Sequence, residues 1–375
     1  MATRSSPKEP VTVPAEIQTR LEAAGLRRTL ATRAVLGLFL ANPQGTLSHA
    51  QALASLTARG LDINRVTLYR LLDRLAACGV LQRHADDGAR TWRFGLADTG
   101  EGLAPRFECD ACHRQFPLLE ACASLAQDEY PEFDVQQLLG DMDQLLARIQ
   151  RRLPADAPAL QRLRTLNQFF FVDLGFGGNI NNYYDPENSY LNAVLRTRRG
   201  IPISLAVLWM ELAQGLGLHA RGIAFPGHFM VKVLLPKGQV VLDPISGQSL
   251  SREELAERLE PYKRRNGLVD DYDVPLGLYL QAATPRDIIA RMLRNLKEVH
   301  RTQHDWQRLI TVLDRLIVLL PDAWGERRDR GLAHAERGNT LEAMADLEAY
   351  LAHAEDGLDI DLIADRLSAL RNANG

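Results

Sequence analysis

The chain of 375 residues lacks thiols over most of its length: its four cysteines, Cys78, Cys109, Cys112 and Cys122, all lie in the first third. It also lacks any apolar run approaching the roughly 18 residues that a membrane-crossing helix needs. Met1 to Pro10 is polar and carries no apolar leader core, so the expectation is a cytoplasmic protein with no membrane partner. Aromatic residues are sparse at 6%, while hydrophobic content of 46% and charged content of 24% are ordinary for globular chains. A length of 375 residues predicts two or three domains, each able to bury its own core.

The net charge of -3 hides an asymmetry. Residues 1–97 hold 13 Lys and Arg against 7 Asp and Glu, whereas the remainder holds 31 against 40. A basic head on an acidic body points the head at a polyanion, although such an excess also describes an ordinary solvated face.

The most specific chemistry lies between Gly200 and Pro244. Pro202 precedes an apolar run at helical spacing (Leu205, Leu208, Trp209, Leu212) that Gly215 and Gly217 end, so Ser204 belongs in a first helical turn. Two strand-like segments follow, one opening at His228 and one ending at Asp243. A helix-start Ser, a strand His and a strand-end Asp are the skeleton of a nucleophile, base and orienter set. Each has a bland reading too: Ser is a common helix-start residue, a strand His can be a bonded core group, and Asp before Pro244 opens turns.

This order resembles the transglutaminase-like fold. More closely, N-N-Y-Y-D-P-E-N-S-Y-L-N (Asn181 to Asn192), R-R-G-I-P-I-S (Arg198 to Ser204) and F-P-G-H-F (Phe225 to Phe229) resemble the SirB family, transglutaminase-like proteins with C-terminal tetratricopeptide repeats. The resemblance covers about residues 119–375. A transglutaminase-like enzyme would carry Cys where this chain has Ser204, and an aliphatic hydroxyl, unlike a thiol, stays protonated at a helix N-terminus. The enzyme question is therefore open between a Ser204, His228, Asp243 hydrolase or acyl transferase and a non-catalytic site, with the second preferred. The polar loop 179–188 supplies Asn182, Tyr183, Tyr184 and Asn188 as candidate cleft residues.

Upstream, residues 1–14 read as a disordered tail. Helices are predicted over 15–24, 29–41, from Leu47-Ser48 to Gly60, and from the Asn64 cap to Cys78. Val80–Arg83 and Thr91–Leu96 flank the turn signal Asp86-Asp87-Gly88. Helices followed by a hairpin describe a winged helix over 15–97, whose last helix enters the major groove of DNA. G-L-R-R-T-L-A-T-R-A-V-L (Gly25 to Leu36), V-T-L-Y-R-L-L (Val66 to Leu72) and F-E-C-D-A-C (Phe107 to Cys112) resemble the ferric uptake regulator family of metal-dependent repressors. That resemblance implies a double-stranded DNA partner read by Arg65, Thr67, Tyr69 and Arg70. It also brings zinc into view at Cys109 and Cys112 and a homodimer. Yet 98–106 holds no His where the family has a His-rich segment, and a structural zinc takes four ligands.

The expected class is thus multidomain and mainly α with α+β parts. Residues 98–118 form a CxxC segment and linker, 119–280 the transglutaminase-like domain and 281–375 a helical repeat region. In the last, Gly331, Gly338, Ala343 and Leu347 fall at tetratricopeptide positions, which implies a protein or peptide partner. The favoured function is a DNA-binding transcriptional regulator whose body senses or binds protein; the alternatives are the hydrolase or acyl transferase and a non-catalytic repeat adaptor.

Overall fold

In a computed structural model, the described residues are 17, 21, 26, 29–41, 46–61, 63–78, 80–86, 91–97, 106–108, 115–179, 181–182, 184–236, 238–265, 276–354 and 359–374. The expected tail and the turn residues Asp87 and Gly88 lie outside them. The chain divides into two compact units: Met1–Glu101 with Asp273–Gln281, and Gly102–Tyr272 with Ala282–Gly375.

In the first unit, helices Leu30–Ala41, His49–Ala58 and Arg65–Ala77 bury one face each. Val35, Leu36, Phe39, Leu56, Leu68 and Leu72 meet there at helical spacing. Asn64 caps the third helix, its side chain accepting from the Val66 amide at 2.8 Å. Strands Leu81–Asp86 and Thr91–Leu96 pair antiparallel over six residues. Leu47–Ser48, expected to open a helix, instead adds a third strand on the Thr91–Leu96 side. Ser48 does both jobs, ending the strand and capping the His49–Ala58 helix in a capping box with Gln51.

The Leu276–Tyr279 helix corrects the expected boundary at 280. Leu278 belongs to the first unit's core, and Gln281 donates from Nε2 to the Ala76 carbonyl at 2.8 Å. The 98–118 boundary shifts as well. Arg106–Glu108 and Gln115–Pro117 form an antiparallel ribbon whose Phe107 packs against the second unit's core, so this part is not linker.

The second unit is organised around the Pro202–Gly215 helix, ten of whose residues are buried. An antiparallel sheet packs beside it in the order Ser249–Leu250, Gly238–Leu242, Met230–Leu235, His219–Ile223. Around the helix stand Leu118–Ala123, Val135–Gln150, Ala159–Asn167 and Leu191–Thr197. Ala159–Asn167 runs on into a widened π-helical turn over Gln168–Asp173 that buries Phe169 and Phe170. Asn167 accepts from the Trp209 indole at 3.0 Å and donates to the Gly247 carbonyl at 3.3 Å, joining helix, helix and loop. Gly247 has φ 71°, and a Cβ there would fall 2.3 Å from the Phe171 ring, so this turn requires glycine.

Helices Pro285–Thr302, Trp306–Leu319, Trp324–Glu336 and Thr340–His353 follow in pairs, then Ile360–Asn374. The first two share the core around the Pro202–Gly215 helix through Leu293, Leu296, Leu313 and Leu316. Two repeat-like pairs are too few to stand alone, and this shared core is what supports them. The later helices close a smaller core at Leu347, Tyr350, Ile363 and Leu367. Among the described residues, no helix is long and apolar enough to cross a membrane.

Candidate functional site

Ser204 sits in the first turn of the Pro202–Gly215 helix, as its spacing from Pro202 predicts. Its side chain is completely buried. The hydroxyl donates to the Asn188 carbonyl at 2.7 Å, lies 3.0 Å from the Ile201 carbonyl, and accepts from the Ile201 amide at 3.1 Å. Gly200 lets it approach so closely, since a Cβ there would sit 2.7 Å from Ser204 Oγ. The hydroxyl therefore ties the helix start to the 186–188 turn.

His228 is placed by a tight turn, with Gly227 at φ 73° and the His228 amide donating to the Phe225 carbonyl at 3.1 Å. The ring reaches Asp243, with Nε2 and Oδ1 3.2 Å apart. Asp243 ends the Gly238–Leu242 strand. Its Oδ1 also accepts from the Ile245 amide at 3.0 Å, and its Oδ2 accepts from Arg258 at 3.1 Å. Burial raises the carboxyl pKa, but the His228 bond, the Ile245 amide and Arg258 outweigh it and hold the group down at about 2. Asp243 is therefore an anion at neutral pH and meets the His228 ring at Nε2.

Of the predicted set, His228 and Asp243 are brought together, while the Ser204 hydroxyl bonds to backbone. Arg258 was missed because the charge-rich 252–265 stretch reads as a solvated face. Leu255 and Leu259 bury the inner side of that helix, and the spacing of Arg258 beside them was the available signal.

Asn188 is buried, accepting from Asn179 at 3.0 Å and donating to the Asn182 carbonyl at 2.7 Å, so it braces the loop from within. Asn182 is exposed and donates to Asp185 at 3.2 Å. Tyr184 is 60% exposed, with its carbonyl accepting from Gln303 at 3.4 Å. Tyr183 lies outside the described residues.

The first unit presents a second candidate surface. Arg65, Thr67 and Arg70 are exposed on the Arg65–Ala77 helix and Tyr69 is half-buried. Arg65 donates from Nε to the Tyr69 hydroxyl at 3.0 Å, and the His49 and Tyr69 ring centroids lie 4.1 Å apart. Tyr69 is thus held between a ring and a guanidinium. Arg65 and Tyr69 wall an open groove of about 650 Å³ whose floor includes Leu53, Ala54 and Thr57. Cys109 and Cys112 lie outside the described residues. Cys122 is fully buried, burial pushing its thiol pKa far up, and among the described residues no group of three or more His, Cys, Asp or Glu could hold a metal.

Residues 136–294 match the transglutaminase-like superfamily and residues 296–368 the tetratricopeptide repeat. A UPF0162 protein of Xylella fastidiosa (strain 9a5c) is 36% identical over 261 residues, covering 68% of this chain and 90% of that protein. The chain belongs to the UPF0162 family. A UPF0162 protein of Pseudomonas aeruginosa is 28% identical over 270 residues, covering 72% of this chain and 97% of its own. A transglutaminase-like domain with C-terminal repeats, expected from the SirB resemblance, is what the family match supports. Among solved structures, a ferric uptake regulator from Pseudomonas aeruginosa with manganese overlaps 26% of this chain and 72% of its own at 28% identity. Its TM-score is 0.21, and a likeness at that level carries no argument.

Proposed function

We propose that the first unit is a winged helix that binds double-stranded DNA through the Arg65–Ala77 helix, and that the second unit is a non-catalytic transglutaminase-like and repeat body that senses or binds protein. The observation that carries this reading is a helix bearing exposed Arg65, Arg70 and Arg74, none of which has an acidic partner among the described residues. The adjacent order of three helices, then a hairpin to which a two-residue strand is added, supports a wing beside that helix. Arg65 holds the Tyr69 hydroxyl, which pre-sets a side chain able to contact a base or phosphate. The basic excess of residues 1–97 supplies the long-range attraction.

The hydrolase reading has His228 and Asp243 at 3.2 Å in its favour. Against it stands the Ser204 proton, directed at the Asn188 carbonyl in a site without exposure. The repeat adaptor and the DNA-binding reading are compatible within one chain, because they use different units.

The test is fluorescence anisotropy of the full chain with a labelled duplex across a salt series. The expected result is a log affinity falling linearly with log salt, with a slope of about 0.9 per phosphate neutralised. Joint replacement Tyr69→Ala and Arg70→Ala should weaken binding by about tenfold or more, by loss of a phosphate or base contact. Binding that ignores both substitutions would overturn the reading.

A further inference from the structure

The outward face of the His49–Ala58 helix is apolar where a surface helix ordinarily presents charge. The helix turns Ala52 and Leu56 into the first unit's core, while Ala50, Ala54 and Ala58 recur every fourth residue on its exposed side. Leu53 stands beside them, half-buried. The Thr57 hydroxyl is turned back onto its own helix, donating to the Leu53 carbonyl at 3.1 Å, so it offers this face no free proton. These side chains floor an open groove of about 650 Å³, a size that takes a small molecule.

One wall of that groove is polar. Arg65 and Tyr69, one turn apart on the Arg65–Ala77 helix, line it together, and Arg65 Nε donates to the Tyr69 hydroxyl at 3.0 Å. The guanidinium carbon lies 5.3 Å from the centroid of the Tyr69 ring, and the His49 ring centroid lies 4.1 Å from the same point. Both polar groups are thus fixed in place before any ligand arrives. With Nε engaged, the two Nη groups of Arg65 are left to donate, and the Tyr69 hydroxyl, an acceptor in its bond to Arg65, keeps its own proton to give. Arg65 is exposed and meets no acid among the described residues.

We propose that this groove binds a small apolar carboxylate, with its headgroup at Arg65 and Tyr69 and its hydrocarbon body over Leu53 and the alanines. The paired Nη donors match the two oxygens of a carboxylate, and the Tyr69 proton supplies a further bond from a second side chain. The apolar floor decides the rest of the ligand: a sugar-phosphate backbone meets the same cation but brings only polar surface to the alanines, whereas a hydrocarbon body removes them from water. An apolar cation is repelled by Arg65. Resting on the DNA-binding reading above, the groove is also regulatory, because a carboxylate on Arg65 occupies a cation that the duplex uses, so ligand and DNA compete.

The test uses the full chain and octanoate as probe, by isothermal titration at constant ionic strength set with chloride. Saturable binding is expected, and acetate, which has the head without the body, should bind at least about tenfold more weakly. Arg65→Met should weaken octanoate binding by about tenfold or more through loss of the charged donor. Ala54→Leu, which fills the floor, should weaken it as well, while Arg371→Gln in the second unit leaves it unchanged. Arg65 and Ala54 are exposed, so neither substitution touches the core. Absence of saturable octanoate binding, or equal affinity in Arg65→Met and the parent, overturns the proposal. Acetate binding as tightly as octanoate overturns it too, because the floor would then contribute nothing. In the anisotropy assay, octanoate at about ten times its dissociation constant should weaken duplex binding about tenfold by mass action. A duplex that binds equally well with the groove filled overturns the competition. Octanoate binding is measured without DNA, so a chain that takes octanoate but no duplex overturns the DNA-binding reading and leaves the carboxylate site standing.

Discussion

The arginines of the two units are treated differently. In the first unit, Arg65 bonds a tyrosine and Arg70 and Arg74 meet no acid among the described residues. In the repeat helices, Arg330 grips Asp346 at 2.6 and 2.7 Å and also reaches Asp314, Arg328 joins Asp329 and Asp359, and Arg294 shares buried Glu326 with Lys297. Cations of the second kind are consumed by the fold, whereas those of the first meet no acid among the described residues. The difference teaches that net charge alone is a poor guide to binding: what matters is which charges the protein has already neutralised.

The largest expected effect tests the consumed side. Arg330→Met should destabilise the second unit by about 3 kcal/mol, because Asp346 is buried and would keep its charge with no cation. Chemical unfolding monitored at the repeat helices measures it, and a loss below about 1 kcal/mol would mean that the pairing is incidental.

Asp243 provides the next test. Its folded pKa of about 2 lies below the usual carboxylate value near 3.9, so its stabilisation is present above about pH 4 and is lost as pH falls towards 2. About 2 kcal/mol of pH-dependent stability should follow, and Asp243→Asn should flatten that slope in thermal unfolding scans. Ser204→Ala should cost about 1 to 3 kcal/mol by leaving the Ile201 amide and Asn188 carbonyl short of a partner. A near-neutral Ser204→Ala would reopen the reading of that hydroxyl as a reacting group.

The smallest effect belongs to the first unit. Arg70→Ala should change unfolding stability by no more than about 0.5 kcal/mol while lowering DNA affinity. A large stability loss there would erase the contrast between the units.

Local features were legible in advance. Ser251 and Glu254, at capping-box spacing, exchange bonds of 2.7 and 3.1 Å. The breaks at His304-Asp305, Pro321-Asp322 and Gly338-Asn339 separate the repeat helices, and Gly331 packs directly on Leu347, where an added Cβ would meet its side chain at 2.9 Å. Helix caps, turns and repeat contacts depend on residues a few positions apart or on a fixed period, so composition and spacing suffice to find them.

What the chain alone determined was the run of elements and the basic head; the histidine expected on a strand sits instead in the turn before Met230–Leu235. The tertiary structure decided where each proton and charge is directed. Ser204 bonds to Asn188, 16 residues upstream. Arg258 reaches Asp243 from a helix that its composition marks as solvated, and Leu276–Tyr279 joins the first unit's core. These outcomes rest on contacts between segments distant in sequence, whose energies depend on burial and on which groups compete for the same acceptor. Neither quantity exists until the chain has packed.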